Sequence, residues 1–350
     1  MTYSIVSYSL LVSAALALVA ATPIHPRAAA SWPDPEPCTG NNSAIHDPSL
    51  IKKGDTWYRF STNDNILIAN APSLNGPWTY QQQMLPQGSI IKVADDQQLW
   101  VSKLAPDVHL IDSTYHVYYA VSTSGSQASD IGVATSPSLE AGSTWTDHGS
   151  LGLPKSSDYN LIDPNLFRDG DTSHFIFGSF WRDIFQTTLS ADDPTKWSGA
   201  APANVVYNST IRLGADATTV EEGGFQFSTT VAGKTWYYLF FSSGLCCQAQ
   251  DDLAPAGEEY KVMVGRAESP TGPFVDQAGK SCLSGNGGSL VLGSHGFVYA
   301  PGGQGVLVDD GGRAVIYYHY VDTRIGYEYK DFQFGFNYLD FSSGWPVLTT

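Results

Sequence analysis

The chain has 350 residues, a formal charge of −16, 42% apolar and 13% aromatic side chains. That is apolar material enough for one large domain or two ordinary ones. The acidic balance leaves no basic footprint for nucleic acid and would repel a polyanion, so a neutral polymer suits this surface better.

Residues 1–21 read as a secretory signal peptide. The apolar run Leu10–Ala21 ends in Val19-Ala20-Ala21 ahead of Thr22-Pro23, too short for a bilayer span and suited to cleavage. No Lys or Arg precedes the run, so only the α-amino group supplies positive charge. Residues 22–37 are expected to be a short linker, and 38–350 a single domain. No later segment approaches 18 uninterrupted apolar residues, and no membrane contact is expected. Secretion makes Cys38, Cys246, Cys247 and Cys282 disulfide candidates. Either Cys246 and Cys247 join each other and leave Cys38 to Cys282, or each takes a distant partner. No CxxC or HxxxH spacing marks a zinc site. Asn41 and Asn208 head glycosylation acceptor triplets.

After residue 22, short aromatic and β-branched runs alternate with Gly, Pro, Asn, Asp and Ser, which predicts an all-β domain. A strand tipped by an acid or amide recurs at intervals of roughly sixty residues. Its copies are His46-Asp47-Pro48, Ala105-Pro106-Asp107, Ile162-Asp163-Pro164, Glu221-Glu222-Gly223-Gly224 and Ala300-Pro301-Gly302-Gly303-Gln304. An aromatic strand follows each, such as Tyr115-His116-Val117-Tyr118-Tyr119 or Trp236-Tyr237-Tyr238-Leu239-Phe240. Two third-strand turns continue alike, as Gly76-Pro77-Trp78 and Gly272-Pro273-Phe274. Five such units predict a five-bladed β-propeller, because one blade cannot bury both faces alone. The leading strands line the channel, so Asp47, Asp107, Asp163, Glu222 and Gln304 should converge on one axis.

Asp107, preceded by proline, is expected to be a strand-end turn former. Asp47, Asp163 and Glu222 are expected to be chemical. Glycoside hydrolysis needs a carboxylic acid for the leaving oxygen and a carboxylate for water or sugar. A third carboxylate nearby helps the acid keep its proton. Trp100, Phe180 and Trp181, with Phe60 a weaker candidate, could supply flat apolar platforms for sugar rings.

These residues resemble a known family. His46-Asp47-Pro48-Ser49-Leu50, Tyr118 to Ser126, Asn160-Leu161-Ile162-Asp163-Pro164-Asn165 and Gly178-Ser179-Phe180-Trp181 look like successive motifs of family 43 glycoside hydrolases. Within that family the resemblance is to secreted endo-α-1,5-L-arabinanases, and it runs from about residue 40 to Gly344-Trp345-Pro346-Val347. It implies an inverting mechanism on arabinan or arabino-oligosaccharides. Asp47 would be the general base, Asp163 the carboxylate that raises the acid's pKa, and Glu222 the general acid. Glu222 is preferred to Glu221 because it directly precedes Gly223-Gly224-Phe225, and because neighbouring strand residues face opposite ways. His46, Gly125, Ser126, Asn160, Ser179, Phe180 and Trp181 match sugar-contacting positions.

The chemistry requires no cofactor. Relatives often carry a Gly-Pro-Gly-His segment whose His helps to hold a central metal, often calcium, and this chain has Gln304 there. Gln304 and His319 are the candidate ligands for such a structural calcium. A monomer is expected. The alternatives are an exo-acting arabinofuranosidase or β-xylosidase on the same scaffold, and, in another class, a non-catalytic carbohydrate-binding propeller.

Overall fold

The computed structural model describes residues 32–63, 65–93, 105–123, 125–210, 220–285 and 287–350. The expected signal peptide 1–21, linker residues 22–31 and Trp100 lie outside the described residues.

Five four-stranded antiparallel sheets follow one another along the chain, each in simple sequential order. Blade 1 holds β1 (His46–Lys53), β2 (Thr56–Thr62), β3 (Leu67–Ala71) and β4 (Thr79–Gln83). Blade 2 holds β5 (Asp107–Ile111), β6 (Thr114–Ser122), β7 (Ser129–Ser136) and β8 (Thr146–Ser150). Blade 3 holds β9 (Asn165–Asp169), β10 (Thr172–Phe177), β11 (Ile184–Thr188) and β12 (Ala203–Val206). Blade 4 holds β13 (Glu221–Val231), β14 (Lys234–Ser243), β15 (Lys261–Ala267) and β16 (Ser289–Leu292). Blade 5 holds β17 (Val298–Val308), β18 (Ala314–Asp322), β19 (Phe332–Asp340) and β20 (Val347–Thr349). The five-bladed propeller expected from the repeat is the observed fold.

The aromatic second strands explain how the blades stack. Side chains alternate across a strand, so a strand buried on both sides must be apolar throughout. In β14, Tyr238 and Phe240 enter the core shared with blade 5, and Leu239 and Phe241 enter the core shared with blade 3. In β18, Ile316 and Tyr318 face blade 4, whereas Val315 and Tyr317 face blade 1. The leading strands contact one another around the ring, β1 with β5, β5 with β9, β9 with β13, β13 with β17 and β17 with β1. They therefore line the axis.

A hydrogen-bond ladder fixes the register of these inner strands. The side chain of Ser49 accepts from the amide of Val108 (3.0 Å), Asp107 from Leu166 (2.7 Å) and Asn165 from Gln226 (2.9 Å). In each case the acceptor stands two residues after a turned residue, and the donor three residues after the turned residue of the next blade. The turned residues are Asp47, Ala105, Asp163 and Gly223, all in the left-handed region, and Ala300 takes the same backbone in blade 5. Asp107 is thus not the turn former expected from the sequence. It is buried, lies in β5, and ties blade 2 to blade 3. Alanines at 105 and 300, not Asp107 and Gln304, stand where blades 1 and 3 carry their acids.

The segment from Trp32 closes the ring. Glu36 donates its amide to Phe336, Asn337 Nδ2 donates to the carbonyl of Asp34, and Ser43 bridges to Gln333. The compact unit therefore begins at Trp32, and residues 32–37 are part of it rather than a linker. Trp78 seals the seam between blades 5 and 1, edge-on to Phe334 and beneath the buried guanidinium of Arg59. Phe60, a weaker sugar-platform candidate, is fully buried between blades 1 and 2. Cys246 and Cys247 are joined to each other. Cys38 and Cys282 are free thiols in separate cores, so they do not pair. Among the described residues no helix is long and apolar enough to cross a membrane.

Trp78→Ala should cost roughly 3–5 kcal/mol, the usual loss for a buried large ring. Differential scanning calorimetry should show Tm lower by roughly 5–10 °C. The blade-1 and blade-5 sheets should survive in the protein that remains folded, because the ring removed packs only at their seam.

Candidate active site

A cavity of about 850 Å³ opens at one end of the axis. Asp47, Asp163 and Glu222 all line it, with His46, Gly125, Ser126, Asn160, Ser179, Phe180, Trp181 and Gln304. The convergence expected from the repeat is therefore present, although the acids come from three blades.

Asp47 and Asp163 sit at φ 43° and 55°, each followed by a proline. This backbone turns their side chains away from the strand ladder at the cavity mouth. Left-handed non-glycine residues cost about 1–2 kcal/mol each, so the surroundings must hold them. For Asp47 the holders are clear. Its amide donates to Nδ1 of His319 (3.0 Å), and its Oδ2 accepts from the hydroxyl of Thr62 (2.9 Å). For Asp163, Oδ2 accepts from the amide of Gly223 (3.1 Å), which ties it to the residue after Glu222.

Glu222 and Glu221 face opposite ways, as strand geometry requires. Glu221 is fully buried, and burial, then the nearby Asp183, hold its carboxyl well above the usual range. Glu222 lines the cavity and is gripped by two hydroxyls. Ser179 Oγ donates to Oε2 (2.6 Å) and Tyr260 to Oε1 (2.9 Å). Burial, and then the charges of Glu222, Asp163 and Asp47, push the Tyr260 phenol well up, so it remains a donor. That one phenol feels all three acids is further evidence of their convergence.

Phe180 and Trp181 project from a contorted loop. Both have left-handed backbones, as does Asp183. The loop is braced by the Asp183 amide on the Phe180 carbonyl (2.7 Å) and by the Asp183 carboxylate on the amides of Asn208 (2.7 Å) and Glu221 (3.3 Å). Both rings are half-buried and line the cavity. Asn160 is more of a brace than an open contact, since it is buried and accepts from Ser129 Oγ (2.5 Å).

The remaining expectations divide. Asn41 is exposed and can carry a glycan. Asn208 is fully buried, and its Nδ2, the atom a glycan would occupy, donates to Glu221 (3.2 Å). Its triplet is therefore structural in this fold. The calcium ligands do not fit either. Gln304 Oε1 accepts from Ser242 (2.7 Å) and its Nε2 donates to the Gly223 carbonyl (2.7 Å). His319 is buried, with Nδ1 taken by the Asp47 amide. Calcium wants a shell of free oxygens, and no step below passes through a metal. His46, Cys247 and His319 do cluster, but a sulfur held in a disulfide offers no thiolate.

Sequence reasoning missed Tyr260, Thr62, Ser242 and Asp183. A hydroxyl or carboxylate in an ordinary strand or loop carries no motif. It becomes informative only when the fold brings it to an acid.

A family model described as Glycosyl hydrolases family 43 matches residues 41–346. Arabinan endo-1,5-alpha-L-arabinosidase A of Aspergillus aculeatus is 46% identical over 298 residues, covering 84% of this chain and 85% of that protein. Its namesake from Aspergillus niger is 46% identical over 287 residues, covering 81% and 84%. The structure of Cellvibrio cellulosa alpha-L-arabinanase complexed with arabinohexaose superposes with a TM-score of 0.74 at 25% identity, over 88% of this chain and 96% of that one. An exo-1,5-alpha-L-arabinanase from a bovine ruminal metagenomic library superposes with a TM-score of 0.75 at 25% identity, over 89% and 99%. Propeller, clustered acids and these matches define a glycoside hydrolase. The chain belongs to glycosyl hydrolase family 43.

Gly303 shows how closely the site is packed. A Cβ there would stand 2.7 Å from both Asp47 Oδ1 and His319 Nδ1, and φ is +58°. Gly303→Ala should push Asp47 from its place. Misplacing a catalytic group by about 1 Å can cost 10²-fold, so an essential Asp47 would lower kcat/KM by about that factor. Circular dichroism and Tm should report a folded propeller.

Proposed function

We propose that this enzyme is a secreted endo-acting hydrolase of α-1,5-linked L-arabinan, working with inversion. The observation that carries the reading is the trio of acids on one cavity, with Glu222 held between Ser179 and Tyr260. Relatives 46% identical over most of the chain bear the endo-arabinanase name, which favours arabinan and endo action. The fold by itself does not separate endo from exo, since an exo enzyme superposes equally well.

In this reading Glu222 protonates the glycosidic oxygen, and Asp47 takes a proton from the water that attacks the anomeric carbon from the other face. Asp163 supplies a negative charge beside the acid that favours its protonated form. The Ser179 and Tyr260 hydroxyls strengthen their hold as Glu222 becomes charged. They thus stabilise the transition state more than the ground state. Phe180 and Trp181 offer apolar faces to furanose rings, which suits a neutral polymer and an acidic protein. One chain supplies every group named, so a monomer suffices. Residues 1–21 carry the export signal, and Asn41 is the glycan acceptor.

The division of labour is testable. Arabinan departs as an alkoxide and needs a proton, whereas an aryl arabinoside departs as a phenolate. Glu222→Gln should lose about 10²–10⁴-fold on arabinan, the usual worth of acid–base assistance, and far less on the aryl substrate. Asp47→Asn should be severe on both. Equal losses for Glu222→Gln on the two substrates would remove Glu222 from the acid role. Chromatography of early products from linear arabinan should show oligomers, and arabinose alone would mean exo action.

A further inference from the structure

The disulfide between Cys246 and Cys247 lines the same cavity as the acids. It sits in a loop fixed at both ends. The Gly244 amide donates to Val220, and Leu245 pairs with the segment Glu258–Tyr260 through both its amide and its carbonyl. Its sulfurs meet two histidines from the next two blades, His319 of blade 5 and His46 of blade 1. Cys246 Sγ lies 3.7 Å from Nε2 of His319, and Cys247 Sγ lies 4.0 Å from Nδ1 of His46.

The His319 contact has a defined polarity. Burial alone drives the pKa of His319 down to about 3, so its ring is neutral and carries one proton. The Asp47 amide donates to Nδ1 (3.0 Å), so Nδ1 must be the bare nitrogen and the proton must sit on Nε2. That N–H is aimed at Cys246. A disulfide sulfur has no hydrogen and can only accept, which matches. The ring is further held by the stacked Tyr260 (centroids 5.9 Å) and the edge of Phe332 (5.6 Å).

Resting on the reading of Asp47 as general base, we propose that the Cys246–Cys247 disulfide is a positioning element for that base. It fixes the place of His319 by accepting its Nε2–H, and His319 holds the left-handed Asp47 by its amide. The bridge thereby makes activity sensitive to thiol reductants. A dithiol reductant would transfer two electrons and two protons to the bridge, giving two cysteine thiols and the reductant's own cyclic disulfide. Cys246 would then carry an S–H that competes as a donor and a side chain free to rotate. Neither state gives the Nε2–H of His319 a fixed acceptor.

The experiment uses the folded enzyme treated with dithiothreitol. Thiols are counted under denaturing conditions after the exposed ones have been trapped, because Cys38 and Cys282 are already thiols. The enzyme with the bridge open should lose at least about tenfold in kcat, with KM little changed, as expected for a displaced catalytic group. The loss should be equal on arabinan and aryl arabinoside, because the water-activating step is affected whichever group departs. Tm should remain well above the assay temperature, and reoxidation should restore activity. A Cys246→Ala/Cys247→Ala variant should show the same loss and be insensitive to the reductant. A Cys38→Ser/Cys282→Ser variant should respond as the parent does.

Full kcat in bridge-free, folded enzyme would overturn the proposal. So would a loss confined to KM, or one that merely tracks unfolding. The two readings fail separately. An active Asp47→Asn enzyme would remove the base assignment, whereas an inactive Asp47→Asn beside a fully active reduced enzyme would remove only the role of the disulfide.

Discussion

The left-handed backbone at the head of each inner strand is the constraint on which the rest of the site depends. A strand alternates its side chains between the two faces of its sheet. A residue in a propeller strand therefore points at a neighbouring blade, not down the channel. Asp47 and Asp163 escape this by standing before proline in a conformation that ordinary residues avoid. Gly223 makes the corresponding turn just after Glu222. The turns at the two aspartates are costly, and the propeller offsets them with bonds from the same and neighbouring blades. The ladder from Ser49, Asp107 and Asn165 holds the strands, and His319, Thr62 and Gly223 hold the acids.

The acids sit among groups that burial keeps neutral. His319 is held as an uncharged imidazole and Tyr260 as an uncharged phenol, so each presents a fixed donor and acceptor pattern. The two rings stack on each other while one grips Asp47 and the other grips Glu222. Asp47 and Glu222 are thus positioned from a common aromatic core, and in the proposed roles of base and acid neither neutral group would add a charge that competes with the proton transfers. Preorganised dipoles of this kind are the usual source of rate enhancement in a water-poor site.

Much of this was legible in the sequence because it repeats. A proline or glycine at the head of five inner strands, each followed by an aromatic strand, is a local signal, and the acids at Asp47, Asp163 and Glu222 stand out against it. Exact register was harder to read. Asp107 and Gln304 share a repeat with Asp47, Asp163 and Glu222, but a slip of two residues or more in a Gly- and Pro-rich strand leaves no trace in composition. Asn208 shows the opposite failure. Its triplet is a valid glycosylation pattern, yet its amide is needed inside against Glu221. Tyr260 and His319 act through contacts between residues 38 and 272 positions apart, which no spacing along the chain encodes. The vicinal disulfide was one of several pairings the cysteine count allowed, and only the folded loop selects it.

Two carboxyl groups acting on opposite faces of the sugar, with a water between them, is the central claim. Its most direct measurement follows the anomeric proton of the first product by NMR while α-linked arabino-oligosaccharide is being cleaved, before mutarotation intervenes. The account predicts that the β-configured reducing end appears first and then relaxes toward the equilibrium mixture. Early accumulation of the α-anomer would mean retention, with a carboxylate attacking the sugar itself, and would contradict the roles assigned to Asp47 and Glu222.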